Sequence, residues 1–149
     1  MRRLAFTVLL LALCFAYGAA KDETVAALKA RFESAHSEDR PDLGMRIAQQ
    51  QLHNADKLYG EGNVDQAGAA VDDIVTYSEK ARDAAIQTRK HLKNVEIDVR
   101  KIAEKLRDIK RTLAFEDQPP VEQAVRRLED VRTTLLKEMF AKETKKENK

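Results

Sequence analysis

The chain has 149 residues, with 27 Lys and Arg against 25 Asp and Glu. That is the size of one domain, and its formal charge of +2 offers no bulk attraction to nucleic acid. Cys14 is the only cysteine, so a product lacking the first twenty residues has no disulfide, thiolate nucleophile, Cys-ligated zinc or covalently attached haem.

The first twenty residues read as a secretory leader. Arg2 and Arg3 precede the apolar run Leu4–Ala16, and Tyr17-Gly18-Ala19-Ala20 places small residues before a cut at Lys21. Two alternatives stay open. One is an N-terminal anchor, because the uncharged run to Ala20 reaches the short edge of a membrane span of about 17–25 residues. The other is lipidation at Cys14, which Leu13 fits poorly because lipoprotein signals place a small residue there. Without Arg2 and Arg3, bases and acids balance at 25 each. A cysteine-free exported helical chain points to a periplasm or to secretion.

From Lys21 to Ala35, Val25, Leu28 and Phe32 make a helical stripe behind the acidic start Asp22-Glu23-Thr24. His36 to Pro41 reads as a loop. A second helix follows over Pro41–Tyr59, capped by Asp39, with Leu43, Ile47, Leu52, Ala55 and Leu58 on one side. Gly60-Glu61-Gly62-Asn63 stops it. Val64 to Leu113 then holds apolar or small residues at alternating three- and four-residue steps, from Val64, Ala67, Val71 and Ile74 to Ile102, Leu106, Ile109 and Leu113. This predicts one central helix over about 63–115, roughly 75 Å long at about 1.5 Å per residue, with a kink expected near Thr88–Leu92. Glu116 to Pro120 breaks it. Val121, Ala124, Leu128, Val131, Leu135 and Met139 mark a last helix, and from Lys142 a charged tail should fray, so the disordered tail is 142–149.

The expected fold is therefore all-α: an extended antiparallel bundle of four helices on one long helix, occupying 21–141. Short turns fold helix two onto the first half of the long helix and the last helix onto its second half. The stretches 64–76 and 121–133 also align, with five of thirteen positions identical. A duplicated hairpin and two ordinary acid-rich helix starts both account for this.

Ala55-Asp56-Lys57-Leu58-Tyr59-Gly60-Glu61-Gly62-Asn63-Val64-Asp65-Gln66-Ala67 resembles the middle of a tetratricopeptide-type hairpin. The proline that ends such repeats is missing here, so groove-type peptide binding does not carry over. Ala55 to Arg82 is also similar to the last hairpin of periplasmic four-helix b-type cytochromes, through the turn Glu61-Gly62-Asn63-Val64. Where that family places a haem-ligating histidine this chain has Arg82 or its neighbours, so the resemblance implies a packing pattern and no haem.

No catalytic constellation is present in the sequence. Glu33-Ser34-Ala35-His36 has the Glu-x-x-His spacing of di-iron bundles, but His53 and His91 have Gln50 and Thr88 where the second glutamate belongs. No cofactor and no enzyme activity are expected. Charge is nevertheless uneven. Arg89, Lys90, Lys93, Arg100, Lys101, Lys105, Arg107, Lys110 and Arg111 stand against Glu96, Asp98, Glu104 and Asp108. This segment suits anionic lipid heads, cell-wall polymers or an acidic partner. It equally suits a solvated face laced by Glu96–Arg100 and Glu104–Arg107 pairs. The expectation is an exported, non-catalytic interaction or scaffolding module of the cell envelope, with an unidentified protein partner and self-association as a homodimer. A periplasmic carrier of a small ligand and envelope-surface attachment through 89–111 are the alternatives.

Overall fold

The computed structural model describes residues 23–147, with side chains as far as Ala141. The leader reading of 1–20, with its cut and Cys14, and the last two residues fall outside the described residues. Among these there are five α-helices, α1 (Val25–Ser34), α2 (Arg40–Gly60), α3 (Val64–Thr88), α4 (Leu92–Thr112) and α5 (Gln118–Glu147), and no strand. The all-α bundle is as the sequence predicts.

Local chemistry sets the boundaries. Thr24 caps α1, its hydroxyl accepting the Ala27 amide at 3.2 Å. Pro41 sits in the first turn of α2, where its missing N–H costs nothing. Pro119 and Pro120 do the same in α5, so that helix starts at Gln118 rather than Val121. It also continues to Glu147 instead of fraying at Lys142, across Ala, Lys and Glu residues of good helix propensity.

The central helix is where the structure departs from the sequence reading. α3 ends at Thr88, and Arg89 and His91 take left-handed φ of 58° and 62°. The chain reverses there instead of kinking. His91 Nδ1 lies 3.2 Å from Asp42 and Lys105 Nζ 3.5 Å from Asp56. These pairs are equally spaced along α2 and α4, so the two helices run parallel and α4 returns alongside the first hairpin. The resulting bundle has four long helices plus α1, in place of four helices strung on one axis.

The reversal has a physical reason. α3 buries Val71, Ile74, Val75, Ala81 and Ala85, and α4 buries Leu92, Val95, Val99, Ile102 and Leu106. On a straight helix those two stripes lie end to end, each covered by a single partner. Folded back, both contribute to one core with α2 and α5 that includes Met45, Ala48, Leu128, Val131 and Leu135. More apolar surface leaves water that way.

α2 pairs most closely with α3, and α4 with α5. The hairpins then join through α3 against α5 and α2 against α4. Glu79 of α3 takes a bidentate pair from Arg127 of α5 at 3.1 and 2.9 Å. The aligned stretches 64–76 and 121–133 thus open the second arms of the two hairpins, with Ala67, Val71 and Ile74 buried like Ala124, Leu128 and Val131.

α1 covers the outer side of the first hairpin. Leu28 and Phe32 pack with Leu43, Ile47 and Tyr77, and the Phe32 and Tyr77 rings meet edge to face at 5.4 Å. The alanine-rich seam buries little area by itself, and its Ala70, Ala81 and Ala85 are covered by the core shared with α4 and α5. Gly44 lets α2 and α3 approach closely: a Cβ there would stand 2.9 Å from the Tyr77 carbonyl oxygen and 3.0 Å from Ala81 Cβ.

Candidate functional site

α4 carries the basic cluster that the sequence singles out, and the fold disperses it. Lys90 pairs with Glu38 at 2.8 Å, Lys105 with Asp56 at 3.5 Å, and Arg107 with Glu129 at 2.5 Å. Lys110 lies 3.9 Å from Glu122 and Arg111 3.0 Å from Asp108. Arg107 and Lys110 are half-buried and turned to carboxylates of α5. Arg89, Lys93, Arg100 and Lys101 are exposed and have no ion-pair partner among the described residues. The surface that remains is those four, with the half-buried Ile97 between them.

The expected pairs along α4 also differ. Glu96 is buried and receives Arg132 of α5 at 2.6 Å, not Arg100, while Arg107 turns to Glu129 rather than Glu104. Helix spacing allows i,i+4 contacts, but a neighbouring helix offers a partner inside the bundle, where the pair is less screened. The Glu96 hydrogen bond holds the Arg132 guanidinium more firmly protonated than usual.

Around the α3–α4 turn, acids and bases gather from three elements. Asp42 of α2 faces His91, and Glu38 from the loop before α2 meets Lys90. The Lys90 hydrogen bond holds the Glu38 carboxyl below its ordinary range. Asp98, half-buried on α4, is pushed up, chiefly by desolvation and further by Asp42, with Lys101 opposing. His36 is exposed beside Glu38 and adds to the lowering of its carboxyl, and His53 is exposed on α2. No three His, Cys, Asp or Glu side chains among the described residues converge as a metal site.

At the opposite end, the α4–α5 connection reaches the α2–α3 turn. Burial raises the Tyr59 phenol, helped by Asp117 and Asp72. The 3-10 turn Phe115–Asp117 is closed by the Asp117 amide on the Ala114 carbonyl at 3.0 Å, and Gln118 Nε2 donates to the Leu113 carbonyl at 3.1 Å. On this turn Phe115 is 86% exposed, flanked by exposed Ala114, Pro119 and Pro120. Sequence reasoning passed over Phe115, yet the signal was present: an aromatic residue in an acidic, proline-ended break belongs to neither neighbouring stripe.

Open clefts lie between the helices. That between α2 and α3, of about 360 Å³, is ringed mainly by polar residues, among them Gln51, Asn54, Lys57 and Asp73. Asp73 accepts both Lys29 and Gln51 at 2.5 Å, which ties α1, α2 and α3 together. Among the described residues, the buried Gln50 Oε1 and Ser78 Oγ have no hydrogen-bond partner. No helix among the described residues is long and apolar enough to cross a membrane. Comparison with family models, curated proteins and solved structures finds no match.

Proposed function

We propose that the protein is an exported, non-catalytic interaction module of the cell envelope that engages a protein partner through the tip of its α4–α5 turn. The carrying observation is Phe115, which is almost fully exposed on a hydrogen-bonded turn. Large aromatic side chains anchor protein interfaces, and a turn already held in shape loses little freedom on binding. Ala114, Pro119 and Pro120, also exposed, add apolar surface to the same connection. A photo-crosslinking residue at position 115 should give one discrete protein adduct in the envelope fraction, which the same probe at exposed Ala26 does not give. No adduct at 115, or the same adduct at both positions, counts against this role. Recovery of the chain only from the cytosol refutes the export half.

A second reading rests on Arg89, Lys93, Arg100 and Lys101, exposed cations of this segment that form no close ion pair among the described residues. They suit attachment to an anionic envelope surface, in which case sedimentation with anionic vesicles should be strong at low salt and fade as salt rises. The triple change Lys93→Glu, Arg100→Glu and Lys101→Glu should abolish it. Absence of binding at low salt removes this reading.

A further inference from the structure

The α3–α4 turn is built against its own sequence. Left-handed backbone is the province of glycine and, less often, asparagine, yet this turn places Arg89 at φ 58° and His91 at φ 62°. The His91 side chain does not cap α4, the Thr88 hydroxyl accepts the Lys90 amide at 3.4 Å at the end of α3, and no glycine or proline occurs between Gly68 and Pro119. The three- and four-residue spacing of Ala81, Ala85, Thr88, Leu92, Val95 and Val99 passes through the turn without a change of phase. Apart from that one bond, the local sequence favours a continuous helix. What bends the chain is the core shared by the two hairpins, with the exposed ties Lys90–Glu38 and His91–Asp42 beside the turn.

The same core can be closed by a second copy. We propose that Arg89–His91 is a hinge, and that the chain forms a domain-swapped dimer in which α3 and α4 run as one helix from Val64 to Thr112. In this dimer the α2–α3 hairpin of one copy packs on the α4–α5 hairpin of the other. Each hairpin keeps its own pairing, and the contacts between hairpins, including Glu79–Arg127 and Lys105–Asp56, re-form between copies with the same residues. The swap removes two left-handed residues from each chain, and short strained hinges favour such exchange. It brings the α3–α4 turns of both copies towards the dyad, with Arg89, Lys90 and Lys93 beside Glu38 and Asp42. Opening must part the core, so monomer and dimer exchange slowly once folded, and concentration during refolding sets their ratio.

The test refolds the full chain from denaturant at millimolar and micromolar concentration and reads its mass by light scattering after gel filtration. The wild type should give dimer at the higher concentration. Arg89→Ala with His91→Ala should raise that fraction several-fold, and Arg89→Gly with His91→Gly should lower it. Spin labels at Thr76→Cys and Lys101→Cys in a Cys14→Ser background, diluted with unlabelled chain, report the hinge. The intrachain distance in the dimer should be about 38 Å, the length of a continuous helix at 1.5 Å per residue, and much shorter in the monomer. A dimer that keeps the short distance is ordinary association and overturns the proposal. So does a dimer fraction that the glycine pair leaves unchanged, which decides the matter even if the alanine pair fails to fold. The absence of any dimer at millimolar concentration overturns it as well.

Discussion

The two hairpins solve the same packing problem with different side chains. In the first, α2 and α3 approach closely over Gly44, Ala48, Ala81 and Ala85, and a separate short helix must cover the outer side. In the second, α4 and α5 fill the space between them with Val99, Ile102, Leu106, Leu128 and Leu135, and add the ion pairs Glu96–Arg132 and Arg107–Glu129. Small seams gain from close backbone approach and tolerate no extra atom. Large seams gain from volume and suffer when it is removed. Their turns differ too. The α2–α3 turn uses Gly62 at φ 78°, with the Asn63 amide bonded to the Leu58 carbonyl at 2.9 Å. The α3–α4 turn forces two side-chain-bearing residues into the same region, at about 1–2 kcal/mol each.

This contrast can be broken from either side. The largest effect is expected in the second hairpin. Leu106→Ala leaves a cavity at a fully buried position and should cost about 3–4 kcal/mol in denaturant unfolding. In the first hairpin the opposite change is the harmful one. Gly44→Ala adds a Cβ 2.9 Å from backbone and should cost about 2–3 kcal/mol by parting α2 from α3. A cost below 0.5 kcal/mol, measured the same way, would show that the close approach is not limiting.

Ser78 sharpens the comparison in the stabilising direction. Its hydroxyl is fully buried in the small seam without a partner, so Ser78→Ala should raise stability by about 1 kcal/mol. A loss on thermal unfolding would mean that the hydroxyl has a partner in solution.

The smallest effect concerns Asp98, whose folded-state pKa is raised by burial. Between its unfolded and folded values the native state holds more protons, so stability falls as pH rises through that window. Asp98→Asn should therefore stabilise the chain at pH 7, within about 0.5 kcal/mol. The gain should vanish below the unfolded carboxyl value, where both forms are neutral. Parallel unfolding curves of the two proteins across pH would check the sign.

Much of the candidate surface was legible in the sequence only as a list. Nine bases between Arg89 and Arg111 are visible without coordinates, but which of them are neutralised depends on acids from other helices. Glu38, Asp56, Glu122 and Glu129 take four, and none is within helical reach of its partner in sequence. Phe115 was visible as an apolar residue out of phase with both stripes. Its exposure is a property of the turn.

The sequence alone determined the helical class, the apolar faces and the two hairpin pairings, because periodicity and punctuation act over a few residues. Pro41, Gly62 and the Pro119-Pro120 pair mark ends that no long-range contact needs to set. It also carried an uninterrupted heptad phase from Val64 to Leu113, and by local rules that is one helix. Only the tertiary structure decided the reversal at Arg89–His91. The energy that bends the chain there belongs to residues far away, the shared core of α2, α3, α4 and α5, and it outweighs about 2–4 kcal/mol of left-handed backbone. Helix propensity acts residue by residue, whereas burial counts the whole interface at once.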